Sequence, residues 1–122
     1  MYYNIEKIDN ILIASKKILN GEIIIYPTDT VYGFGVDATN TMAISNLNKL
    51  KNREQPYSII VDSISMLKEY CILDRKSEIL INTLLPGPFT LILKKIKKKL
   101  LLNLETLNLN TIGVRIPNNK FI

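Results

Sequence analysis

Arg115 is the residue whose surroundings most demand an explanation. It sits in Thr111-Ile112-Gly113-Val114-Arg115-Ile116-Pro117, an otherwise apolar, strand-like run. Taking a guanidinium out of water is costly unless a carboxylate or phosphate pairs with it. Arg115 is therefore the best single candidate for holding an anionic ligand. Two further cations, Lys51 and Arg53, flank one residue at the end of an expected helix. They can complement the negative end of the helix dipole, or reach together for a polyanion such as a triphosphate, with Arg53 offering bidentate geometry. A third group lies in Tyr26-Pro27-Thr28-Asp29-Thr30-Val31-Tyr32-Gly33-Phe34-Gly35. It sets two hydroxyls, a carboxylate and a tyrosine just past a strand, where open α/β sheets bind ligands. The alternative is a capped turn in which Asp29 and the threonines satisfy local N–H groups.

Other chemistries are excluded or unsupported. The chain has no histidine, so triads with a histidine base are ruled out. One cysteine cannot form an internal disulfide, and a structural zinc site is not expected. Cys71 has apolar neighbours and reads as core filling, because a reactive thiolate needs nearby positive charge. There is no phosphate-loop motif, and Gly33-Phe34-Gly35 lacks the third glycine of a dinucleotide fingerprint, so it reads as a tight turn. The net charge of +5 resides entirely in Lys94, Lys95, Lys97, Lys98 and Lys99, since the remaining basic and acidic residues balance. These lysines are expected in an exposed loop that either binds a polyanion such as RNA or is merely solvated. Ile, Asn and Lys make 46 of 122 residues, the usage an AT-rich genome would produce by codon drift.

The positioning elements follow from periodicity. Ile8, Ile11, Leu12, Ser15, Ile18 and Leu19 outline an amphipathic helix that Gly21 can end. Glu22 to Tyr26, apolar after Glu22, reads as a strand of the kind covered on both faces, stopped by Pro27. A helix capped by Asn40 or Thr41 should bury Ala43, Ile44, Leu47 and Leu50. Short strands are expected at Pro56–Val61, Phe89–Leu93 and Ile112–Ile116, with helices after Ser63 and over Ser77–Leu85. Such alternation indicates a layered α/β domain. With 47% apolar residues, no repeat and no linker, the 122 residues form one domain. No run is long enough to span a membrane and no signal segment is visible, so a cytoplasmic protein is expected.

Four of these segments, in this order, resemble the successive blocks of the YrdC-type L-threonylcarbamoyladenylate synthases: Pro27-Thr28-Asp29-Thr30-Val31-Tyr32-Gly33, Lys51-x-Arg53, Pro86-Gly87-Pro88-Phe89-Thr90 and Gly113-Val114-Arg115-Ile116-Pro117. The resemblance implies a twisted mixed sheet flanked by helices, with a wide basic cavity. It implies a nucleotidyl transfer that joins L-threonine, bicarbonate and ATP into threonylcarbamoyl-AMP and pyrophosphate, with Mg2+ assisting. That product feeds N6-threonylcarbamoyladenosine formation in tRNA through downstream threonylcarbamoyl-transfer proteins. Carried over residue by residue, Thr30, Tyr32 and Arg115 would line the threonine pocket, Arg115 taking the carboxylate. Lys51 and Arg53 would neutralise ATP phosphates, and Thr111 would lie beside the nucleotide. Thr30, Lys51, Arg53 and Arg115 should then face one cavity.

Three departures accompany the resemblance. Only two residues separate Arg53 from Pro56, fewer than the pattern usually has. Ile60 stands where many relatives carry a histidine, and no Ser-x-Asn block follows Arg115. The domain is therefore expected to be C-terminally truncated, with an open sheet edge at Ile112–Ile116 and little stability or synthase activity alone. Two other readings stand beside the synthase: a non-catalytic remnant binding tRNA or double-stranded RNA, and one half of a split synthase completed by a missing C-terminal half.

Overall fold

The structure is a computed structural model and describes residues 7–52, 57–96 and 110–119. Helix α1 spans Ile8–Leu19. Gly21, at φ 83°, closes it as expected, its N–H bonding to the Ile18 carbonyl and that of Glu22 to Lys17. Strand β1 (Ile24–Tyr26) then pairs antiparallel with β2 (Gly33–Gly35). The expectation that β1 is covered on both faces does not hold. Ile25 is 67% exposed, because β1 and β2 form a separate two-stranded sheet.

Asn40 caps helix α2 (Thr41–Lys51) by accepting from the Ala43 N–H. The helix buries Ala43, Ile44 and Leu47, but Leu50 faces out at 56% exposure. Strand β3 (Ile59–Ile60) leads to α3 (Ile64–Tyr70), capped by Ser63. A short strand β4 (Cys71–Ile72), which the periodicity does not reveal, precedes α4 (Arg75–Leu84) with Asp74 as its cap. Strands β5 (Leu91–Lys95) and β6 (Thr111–Arg115) complete a four-stranded sheet of order β3-β6-β5-β4. β3 runs parallel to β6, and the other neighbours are antiparallel. No helix among the described residues is long and apolar enough to cross a membrane.

Alternation along the strands sorts the side chains. Leu93, Ile112, Val114 and Cys71 face inward and pack with Val61, Leu67, Ile81, Leu85 and Ile116 as the core. Two expectations fail here. β6 is not an open edge, because β3 and β5 flank it. Lys94 and Lys95 do not belong to a loop either, since β5 continues through Lys95 to pair with β4. Lys94 is exposed on the outer face while Lys95 points to the core side and is only 8% exposed. Lys97, Lys98 and Lys99 lie outside the described residues.

Candidate functional site

The loop after β1 is organised by its first threonine. The Thr28 hydroxyl donates to the Val31 carbonyl at 2.6 Å and accepts from the Thr30 N–H at 3.2 Å. It also lies 3.1 Å from Thr30 Oγ1. This local turn matches part of the capped-turn alternative. Asp29 does something else. Its Oδ1 accepts from Arg115 Nη2 at 3.3 Å, and its Oδ2 accepts from the backbone N–H of Asn118 at 3.0 Å. The same Nη2 lies 3.4 Å from Thr30 Oγ1, and Asn119 Nδ2 reaches the Thr28 carbonyl. The two chain segments are 85 to 91 residues apart in sequence, yet they meet at one point.

Arg115 thus has the carboxylate partner that a mostly buried guanidinium requires. The pair is largely shielded, with side-chain exposures of 20% for Arg115 and 12% for Asp29. The demand is not fully met: Arg115 Nε is buried and has no hydrogen-bond partner among the described residues. Ile60 is the residue beside Arg115 in the parallel β3–β6 pair.

Tyr26 joins this cluster to a cavity. Its ring lies across β2, close enough that a Cβ on Gly35 would stand 2.5 Å from Cε1. Gly33-Phe34-Gly35 is therefore a strand, not a tight turn, and Gly35 supplies bare backbone for the ring. Burial raises the Tyr26 phenol above its ordinary range, and the nearby Arg115 charge opposes that shift. On its other side Tyr26 lines a cavity of about 490 Å³ between α1, the β1–β2 pair, α2 and β3. Ile18, Ile44, Met66 and Ile60 make its walls largely apolar, and Lys51 and Tyr57 also line it. The Lys51 ammonium lies 5.4 Å from the Tyr57 ring centroid, within cation–π range. Tyr57 in turn donates to Asn48 Oδ1 at 2.7 Å.

The structure brings some of the sequence-derived candidates together and separates others. Thr30 and Arg115 meet directly. Lys51 lines the cavity, whereas neither Thr30 nor Arg115 does, so the expected common cavity is divided at Tyr26. Tyr32 is 74% exposed and takes no part in the hydrogen bonds around Arg115. Thr111 is exposed on the outer face beside Lys94. At about 3.3 Å per residue, it is ~13 Å along the strand from Arg115. Arg53 lies outside the described residues. Sequence reasoning missed Tyr26, Asn118 and Asn119. The only signal for the asparagines was their place immediately after Pro117, at the end of an arginine-bearing strand.

Among the described residues no group of three or more His, Cys, Asp or Glu side chains could form a metal cage. Magnesium usually arrives with substrate phosphates and keeps several waters.

Comparison with known proteins gives this geometry a lineage. The Sua5/YciO/YrdC family model, described as telomere recombination, matches residues 16–122. A Methanocaldococcus jannaschii relative is 37% identical over 109 residues, which cover 88% of this chain and 51% of the relative. The Homo sapiens threonylcarbamoyl-AMP synthase is 33% identical over 113 residues, covering 89% of this chain and 39% of that protein. The chain thus spans about half or less of the length of these relatives. The crystal structure of Pyrococcus abyssi Sua5 complexed with L-threonine superposes with a TM-score of 0.82 at 28% identity, covering 99% of this chain and 35% of that one. The chain belongs to the Sua5/YciO/YrdC family.

Proposed function

We propose that this domain binds L-threonine at the junction of the β1–β2 loop and β6, as part of threonylcarbamoyl-AMP synthesis for tRNA modification. The observation that carries the reading is the meeting of Thr30 with a mostly buried Arg115 whose Nε has no partner. Relatives named threonylcarbamoyl-AMP synthase, and a related structure holding L-threonine, support it.

In this reading Arg115 takes the threonine carboxylate in charge-assisted hydrogen bonds, and Thr30 bonds the polar end of the amino acid. Lys51, together with Arg53, neutralises the triphosphate, while the apolar cavity wall serves the nucleoside end. The threonine amine and bicarbonate give a carbamate with loss of water. A carbamate oxygen then attacks the α-phosphorus, and the bond to the β-phosphate breaks to release pyrophosphate. No protein nucleophile is required. Alignment of the reactants and neutralisation of charge carry the rate.

The test is pyrophosphate release by the purified protein with ATP, L-threonine and bicarbonate, each omitted in turn. Release that needs all three, and that falls with Arg115→Gln, supports the reading. Release independent of threonine contradicts it. An RNA-binding role for the lysine cluster has less support, because Lys95, one of its five lysines, is buried.

A further inference from the structure

Arg115 presents five N–H donors in a rigid fork. The contacts that the fork makes with Asp29 and Thr30 both use Nη2, and Nε is buried without a partner. The guanidinium is therefore gripped at one nitrogen and left short of acceptors elsewhere. Asp29 is gripped at both oxygens, one by Arg115 and the other by the Asn118 N–H beyond β6. A carboxylate anchored in this way has a fixed orientation and imposes it on the arginine. The Asn119–Thr28 contact holds the same two segments together beside it.

We propose that Asp29 is a positioning residue: it orients the Arg115 fork so that the donors it does not occupy receive the carboxylate of the bound amino acid. This rests on the reading of Arg115 as the partner of threonine. A carboxylate beside a ligand-binding arginine could act in the opposite sense, by competing with the ligand for the same charge. The two roles differ in sign. A positioning carboxylate strengthens ligand binding, and a competing one weakens it.

The experiment uses the unaltered chain and Asp29→Asn, which keeps the shape but removes the charge. Nitrogen-15 NMR of the Arg115 guanidinium reads its orientation without any ligand. Distinct, slowly averaging Nη signals are expected in the parent and collapsed signals in Asp29→Asn. Titration with L-threonine should give a dissociation constant at least tenfold higher for the variant. Rapidly averaging Nη signals in the parent overturn the proposal even if the variant does not fold. Equal or tighter threonine binding by Asp29→Asn overturns it as well. If the parent fails to bind L-threonine, the functional reading of the site falls. The guanidinium signals still decide whether Asp29 holds Arg115.

Discussion

Replacing Gly35 with alanine should be costly, whereas the same change at Gly33 should not. The two glycines flank Phe34 on β2, and the Tyr26 ring lies over both. A Cβ at Gly35 would stand 2.5 Å from Tyr26 Cε1 and 3.0 Å from Cδ1. Carbon atoms rest at about 3.5–4.0 Å, so the overlap is on the order of 1 Å. The ring must then shift, which disturbs its buried position beside Arg115. Forcing extra volume into such a place costs about 1–3 kcal/mol. At Gly33 the nearest atom would be 3.9 Å away, an ordinary contact. There alanine should be neutral, or stabilise by up to ~1 kcal/mol by restricting the unfolded chain. Urea unfolding of Gly35→Ala, Gly33→Ala, and Gly35→Ala combined with Tyr26→Ala gives the comparison. The penalty at Gly35 should vanish in the Tyr26→Ala background, since the clashing atoms are then gone. Equal costs at the two glycines, or a Gly35 penalty that persists without Tyr26, would refute the steric argument.

Three further outcomes follow from single contacts. Asn40→Ala removes the cap of α2 and should cost about 1 kcal/mol in chemical unfolding. Burial pushes the Cys71 thiol up to about 11, so a thiol reagent at pH 8 should react only on unfolding. Rapid labelling of the native protein would contradict this. Hydrogen bonds from Ser77 hold the Asp74 carboxyl below its ordinary range. A lowered native pKa stabilises above the unfolded value of about 4, and the contribution disappears as pH falls through the native pKa. Asp74→Ala should therefore lower the melting temperature near neutral pH, with the difference shrinking toward pH 3.

Legibility in the sequence followed the range of the interactions. Caps and helical faces are local, so α1, α2, Asn40 and Ser63 were readable from spacing alone. The helix-ending role of Gly21 was readable for the same reason. Pairing between distant segments was not. β4 is two residues long and exists because β5 runs past Leu93 to meet it. That extension turned Lys95 inward, which no charge count could anticipate. The site shows the same division. Arg115 was legible because an arginine within apolar sequence needs an anion. Its actual partner, Asp29, is 86 residues away, and the local turn around Thr28 offered a sufficient account of that loop. Gly35 was misread because its requirement comes from a ring on the neighbouring strand.

The most direct test of the proposed site is a crystal structure of this chain with L-threonine and a non-hydrolysable ATP analogue. The amino acid carboxylate should lie within hydrogen-bond distance of Arg115, its polar end beside Thr30, and the triphosphate against Lys51. Threonine bound elsewhere, with Arg115 still engaged only by Asp29 and Thr30, would contradict the assignment of this cluster as the substrate site.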